Sequence, residues 1–237
     1  MVAILLILRP QPGADSTAAR AKSMGLETRV APLFVIRPVA WEVPDAGEHD
    51  AILLTSANAA REAGPQLAAL THLPCYAVGE ASAEAAAEAG FETIRAGPSD
   101  GRALLEMAAD EGVKRLLHLC GRDHIGLEDS RLRLTRRVVY AAEPVSELPR
   151  EAVEALSQGA VALLHSPRAG ALFAELVDEA GLDRRSIAIA AISPAAAAAA
   201  GGGWKQEESA AIPRDEALLE LASKLCQTKP RETGNGG

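Results

Sequence analysis

The chain has 237 residues, of which 48% are hydrophobic but only 3% aromatic, and a formal net charge of −8. That length is comfortable for two small domains, and the composition calls for an aliphatic, alanine-rich core of helices packed on a sheet. The acidic balance argues against a general role on nucleic acid or a membrane surface, although backbone amides can still bind an anion locally.

The opening apolar run lacks a basic leading region, and Arg9-Pro10 interrupts it early. It reads as a buried parallel strand, Ala3–Leu8, rather than a signal peptide. Further strands are expected at Ala51–Leu54, Cys75–Val78, Arg115–Cys120, Val161–His165 and Ile187–Ile192. Each is followed by a helix-compatible stretch, and such alternation predicts parallel sheets with right-handed crossovers. No apolar run approaches the roughly 20 residues that span a bilayer. Cys75, Cys120 and Cys226 lie far apart with no metal-ligand spacing, so reduced cysteines and a cytoplasmic location are expected. Residues 229–237 read as a disordered tail.

An internal repeat of about 110 residues is visible. Ala51-Ile-Leu-Leu-Thr-Ser-Ala-Asn-Ala aligns with Val161-Ala-Leu-Leu-His-Ser-Pro-Arg-Ala, and Tyr76-Ala-Val-Gly with Ala190-Ala-Ile-Ser. Pro98-Ser-Asp, before Ala103-Leu-Leu-Glu, aligns with Pro213-Arg-Asp, before Ala217-Leu-Leu-Glu. The second copy lacks a counterpart of Arg115–Cys120, and Ile4–Leu8 at the amino terminus is free to supply it. The expected fold class is α/β: two similar parallel-sheet α/β domains, one inserted in the other, joined by a two-stranded β-ladder hinge. The expected boundaries are 1–34 with 146–228 for one domain and 40–137 for the other, with 35–39 and 138–145 as hinge strands. The alternative is two sequential domains divided near Val145.

Ligands of parallel α/β sheets bind beyond the carboxyl ends of the strands, where loops feed helix amino termini. Here those loops are small, hydroxylated or glycine-containing, which leaves first-turn N–H groups free for anions. Arg9, Thr55, Ser56, Asn58, Gly79, Ser82, Gly121, Arg122, Ser166 and Ser193 are the candidate binding residues, for a small-molecule polycarboxylate held between the domains. The plainer reading of each hydroxyl is a helix cap worth about 1 kcal/mol. No dinucleotide or NTP fingerprint is present, which leaves a nucleotide-dependent enzyme unsupported. The five histidines have no zinc-like spacing, and neither a metal nor a cofactor is expected. His118 and His165 close equivalent-looking strands, where packing and function both remain open. Ser166 has no nucleophile elbow, no cysteine sits in a nucleophile setting, and the acidic residues read as solvated helix faces.

The ordered set Leu8-Arg-Pro, Leu54-Thr-Ser-Ala-Asn-Ala59, Tyr76-Ala-Val-Gly-Glu-Ala-Ser82, Leu119-Cys-Gly-Arg122, Val138-Val-Tyr140, Ser166-Pro-Arg and Ile192-Ser-Pro resembles the uroporphyrinogen-III synthase family. The likeness runs over residues 3–225. It implies two α/β domains, one inserted in the other, and a cofactor-free enzyme. The implied substrate is hydroxymethylbilane, a linear tetrapyrrole with eight carboxylates. The implied reaction closes the macrocycle with loss of water and inversion of the last ring, through an azafulvene and a spiro intermediate. It implies Tyr140 as the catalytic residue, a phenol that helps the hydroxyl leave, and a monomer acting on a small molecule. The runner-up is a two-domain binding or regulatory protein for an acidic small molecule.

Overall fold

The structure, a computed structural model, describes residues 4–97, 100–124 and 126–227. Ala3 of the first expected strand, Pro98-Ser99 of the repeat and the expected tail 229–237 lie outside the described residues. In chain order the elements are β1 (Ile4–Ile7), α1 (Gly13–Ser23), β2 (Glu27–Val30), β3 (Phe34–Pro38), β4 (Ala51–Leu54) and α2 (Ala57–Glu62). Next come β5 (Cys75–Val78), α3 (Gly79–Glu88), β6 (Ile94–Gly97), α4 (Gly101–Asp110), β7 (Arg115–Gly121) and β8 (Arg133–Pro144). The chain continues with α5 (Arg150–Ser157), β9 (Val161–Leu164), α6 (Pro167–Glu179), β10 (Ala188–Ala191), α7 (Pro194–Ala200), β11 (Gln206–Ser209) and α8 (Asp215–Gln227).

Two compact units result: Met1–Val35 with Pro144–Gly237, and Ile36–Glu143. The first is built on a sheet of order β11-β10-β9-β1-β2, all parallel. The second is built on the order β3-β8-β7-β4-β5-β6, parallel from β8 to β6. β3 runs antiparallel to β8, with Val39 N–H donating to Val139 O at 2.9 Å and Val145 N–H to Leu33 O at 3.0 Å. β1 lies between β9 and β2 just as β7 lies between β4 and β8, so the amino-terminal strand completes the sheet of the later copy. One difference separates the copies. β1 and β2 are connected through α1, whereas among the described residues the connection from β7 to β8 carries no helix.

The central strands are continuous apolar runs because helices cover both their faces. Every residue of β4, β9 and β10 is buried. In the second unit one side of the sheet packs Ile52, Cys75, Ala77, Leu117 and Leu119 under α2 and α3. The other side packs Ala51, Leu53, Tyr76 and Leu116 under α4. Small side chains let helices approach closely: a Cβ added to Gly170 of α6 would meet Ala196 O of α7 at 2.5 Å. The few aromatics fill the remaining space, with Phe173 stacked on Trp204 at 5.5 Å between ring centroids.

Several expected bounds shift. β7 extends to Gly121, while His165, Ile187 and Ile192 fall outside their strands. β8 begins at Arg133, where Arg133–Arg137 pair in register with Arg115–Leu119 of β7. No helix among the described residues is long and apolar enough to cross a membrane.

Candidate functional site

In the second unit, the carboxyl ends of β4, β5 and β7 and the interior of β8 surround a cavity of about 390 Å³. Thr55 and Ser56 reach it from the end of β4, Val78 from β5, Gly121 from β7 and Tyr140 from β8. Asp100 and Gly101, at the start of α4, and Asp123, His124 and Leu127, on the connection to β8, complete the lining.

The placement of Tyr140 follows from an irregularity in the sheet. Cys120 pairs with Val138 but Gly121 pairs with Tyr140, a bulge that uses one extra residue of β8. Arg122 N–H then donates to Tyr140 O at 2.9 Å and fixes the backbone beyond the bulge. The phenol ring lies on Gly121. A Cβ there would stand 2.7 Å from Tyr140 Cζ and 2.9 Å from Oη. Burial pushes the phenol above its ordinary pKa, and a hydrogen bond with Ser56 partly offsets that rise. The group is therefore protonated at neutral pH and can donate a proton.

Thr55 is not a helix cap. Its Oγ1 lies 2.9 Å from Nε2 of His118, which is only 1% exposed. Burial first, and then the neighbouring His124 and Arg136, push His118 down to about 4, so it is neutral at pH 7. His124 Nδ1 lies 3.1 Å from Gly121 O, and a carbonyl only accepts. Nδ1 of His124 therefore carries a proton towards that carbonyl. The expectation that His118 closes its strand is corrected here, while His165 takes the place that the repeat gives it opposite Thr55. His118 pairs with Leu53 inside the sheet, whereas His165 stands beyond β9, where Thr55 stands beyond β4.

Ser56, Ser166 and Ser193 each cap the helix that follows, accepting from Asn58 N–H (3.3 Å), Ala169 N–H (3.1 Å) and Ala196 N–H (3.3 Å). The predicted loop at Gly79–Ser82 is instead the first turn of α3. Gly79, at φ +69°, makes the entry where an L side chain would be strained, and Ser82 is 4% exposed. Burial keeps the Ser82 hydroxyl away from solvent, and neither it nor Asn58, Gly79 or Arg122 lines the cavity. The Arg122 side chain is exposed.

Arg9 belongs to a charge cluster in the first unit centred on Asp215, at the start of α8. His165 Nε2 lies 2.9 Å from the carboxylate, Thr17 donates to it at 3.0–3.1 Å, Arg20 pairs with it, and Arg9 Nη1 stands 3.8 Å away. Arg9 also donates to Thr17 Oγ1 at 3.3 Å. Burial alone would raise Asp215, but His165, Thr17 and Arg20 together hold it at about 2. Asp215 corrects the reading of the acidic residues as solvated faces: its side chain is 12% exposed. The repeat carried the signal for it, because Asp215 and Asp100 occupy matching places before equivalent helices. His124 and Asp123 were missed as well. They sit just past Cys120-Gly-Arg122, and nothing in their spacing marks them. Among the described residues, no group of three or more His, Cys, Asp or Glu side chains is arranged to hold a metal ion.

The family model described as uroporphyrinogen-III synthase HemD matches residues 15–220. A search of curated protein sequences finds no match. Among solved structures, uroporphyrinogen-III synthetase from Helicobacter pylori 26695 is similar in fold, with a TM-score of 0.64 and 19% identity over 95% of this chain and 100% of that one. A mutant uroporphyrinogen III synthase from the extremely thermophilic bacterium Thermus thermophilus is similar with a TM-score of 0.50 and 16% identity, over 96% of this chain and 100% of that one.

Proposed function

We infer the chemistry of the site from one premise: the chain belongs to the uroporphyrinogen-III synthase family. Its activity is that of a cyclising lyase of tetrapyrrole biosynthesis, closing hydroxymethylbilane to uroporphyrinogen III with loss of water and inversion of the last ring. The family match does not favour the reading as a binding or regulatory protein. The observation that carries the catalytic assignment is Tyr140, a protonated phenol seated on Gly121 at the wall of the second unit's cavity.

In this reading the Tyr140 phenol gives its proton to the departing hydroxyl of the substrate. The carbon–oxygen bond breaks, water leaves, and the cationic azafulvene stands beside the phenolate. The hydrogen bond from Ser56 supports that phenolate, which burial alone would disfavour. The last ring attacks through its substituted carbon, the spiro intermediate fragments and recloses, and the proton released on rearomatisation restores the phenol. No net proton is consumed. The uncatalysed chain closes without inversion, so the protein's remaining task is orientation of the substrate, with its carboxylates as handles. Thr55, Ser56 and Gly121 serve the second unit's cavity. Arg9, Ser166 and Ser193 serve the carboxyl end of the first unit's sheet, where the capping serines keep their own O–H groups as donors.

The chain is further proposed to act as a monomer in the cytoplasm. Support comes from Cys75 and Cys120, buried free thiols, the first pushed up to about 12 by burial. The test of the activity is direct: supply hydroxymethylbilane and identify the isomer. Uroporphyrinogen III is expected, and formation of the non-inverted type I isomer alone would overturn the assignment.

A further inference from the structure

One buried histidine next to the cavity, His118, has no place in the chemistry above. Tyr76, Leu53, His118 and Arg136 stand in register across β5, β4, β7 and β8. Leu53 and Tyr76 pack into the apolar layer under α4, and His118 is buried on the same row. Nε2 of His118 meets Thr55 Oγ1 at 2.9 Å, whereas Nδ1 is buried with no hydrogen-bond partner. Arg136 Nε, on the neighbouring strand, is likewise buried without a partner, while its Nη2 donates to Leu127 O.

These facts select a tautomer. A buried N–H without an acceptor is rarer and costlier than a lone pair without a donor, which disfavours the proton on Nδ1. A guanidinium is always a cation and a donor, so its in-register neighbour is better served by a bare nitrogen than by a second N–H. The proton therefore resides on Nε2, where Thr55 Oγ1 is its only acceptor. A hydroxyl has one proton and two lone pairs. Once Thr55 accepts from the histidine, its own proton is free for another partner, and Thr55 lines the cavity. The opposite tautomer would spend that proton on Nε2 and leave Thr55 presenting only lone pairs, which repel an anion.

We propose that His118 is a positioning residue for Thr55: by donating its Nε2–H to Thr55 Oγ1, it turns the Thr55 hydroxyl into a donor directed at a carboxylate oxygen of the substrate. His118 does not itself touch the ligand. Because the histidine is held neutral well below pH 7, the arrangement is unchanged across the physiological range. Only the kinetic part of this inference rests on the proposed synthase activity.

The first experiment does not depend on activity. Long-range 1H–15N spectra of the unliganded protein at pH 7, labelled at histidine and assigned with a His118→Gln variant, are expected to show His118 protonated at Nε2 and bare at Nδ1. A proton on Nδ1 overturns the proposal whether or not the protein turns over hydroxymethylbilane. The second is a mutant cycle with hydroxymethylbilane. Thr55→Val and His118→Leu are each expected to raise KM by about tenfold, with a smaller change in kcat. The double variant is expected to be no worse than Thr55→Val, because both changes remove the same donor. His118→Gln, whose amide can place an N–H near the Nε2 position, is expected to recover at least half of the loss. A purely structural histidine would lower the melting temperature in all His118 variants, leave KM unmoved and add fully to Thr55→Val, and that pattern overturns the inference. If His118→Leu does not fold, the same cycle with His118→Gln and His118→Asn decides it, the proposal requiring Gln to keep the lower KM. Wild-type protein that makes no uroporphyrinogen III would refute the activity and leave the tautomer result standing.

Discussion

Tyr140 and Gly121 are joined by the absence of a side chain: the phenol occupies the space that a Cβ on Gly121 would fill, with Cζ 2.7 Å and Oη 2.9 Å from that position. Gly121 does not need left-handed backbone, so its role is room for the ring. Gly121→Ala is expected to displace the phenol by a fraction of an ångström or more and to lower kcat on the order of 100-fold. The fold should persist, because the ring can move into the adjoining cavity. Steady-state kinetics beside circular dichroism checks this, and an alanine variant with wild-type kcat would remove the tight seat from the mechanism.

Tyr140→Phe keeps the ring and removes the proton. The expected result is at least a tenfold loss of kcat with an unchanged melting temperature. Since burial holds the phenol above its ordinary value of about 10, the wild-type rate should stay level until strongly alkaline pH and then fall as the phenol ionises. The phenylalanine variant should lack that fall. A pH–rate profile of both proteins decides the point, and equal activity in the folded variant would exclude Tyr140 as the acid.

Two buried groups divide the acid stability of the chain between separate windows. His118 stands at about 4 in the folded protein against an ordinary value of 6.5. The unfolded chain therefore takes up a proton first, and stability that is complete above pH 6.5 is lost as pH falls towards 4, by about 3 kcal/mol. Asp215 stands at about 2 against 3.8. Its contribution is complete above pH 4 and is lost as pH falls towards 2, by about 2 kcal/mol. Urea denaturation at a series of pH values should lose the upper slope in His118→Gln and show a shallower lower slope in Asp215→Asn, where Asp50 and Asp129 share that window. Unaltered slopes would contradict the burial of His118 and the pairing of Asp215 with His165, Thr17 and Arg20.

At neutral pH, Asp215→Asn also removes the charge that holds Arg9, Arg20 and His165 around one carboxylate. The expected cost is about 2 kcal/mol, because Arg9 and Arg20 lose their anion but stay partly solvated. Thermal denaturation reads it, and a variant as stable as wild type would show that solvent replaces the carboxylate.

Gly170→Ala places a methyl carbon 2.5 Å from the backbone carbonyl of Ala196, which cannot rotate away as a side chain could. α6 and α7 must separate, at an expected cost of about 1–3 kcal/mol. A melting temperature within a degree of wild type would show that the helices are looser than their spacing implies.

The sequence made the interior of each sheet legible and left its margins obscure, for one reason. β4, β5, β9 and β10 are covered on both faces, so their runs stand out as Ala-Ile-Leu-Leu or Ala-Ile-Ala-Ala. β2, β6 and β11 lie at sheet edges and read Glu-Thr-Arg-Val, Ile-Arg-Ala-Gly and Gln-Glu-Glu-Ser, which no hydrophobic pattern distinguishes from a loop. The start of β8 was hidden in the same way by four arginines between Arg131 and Arg137. Thr55, Ser56, Gly121 and Tyr140 were found because they recur at strand ends or belong to a familiar order. His118 was noticed but misplaced at the close of its strand, because β7 runs on past it to Gly121. Asp123 and His124 become visible only through the lining of the cavity.

Leu5 pairs with Val161, so β1 meets β9, the central strand of the first sheet, only after the whole second unit has been made. On a ribosome, β1 emerges early as a bare apolar edge, with β2 as its sole partner. The second unit is continuous in sequence and can close meanwhile, but the five-stranded sheet must wait for β9 and β10. The interval is a window for aggregation that the finished fold no longer shows. Synthesis speed and chaperone capacity should therefore govern the yield of this protein more strongly than its final stability does.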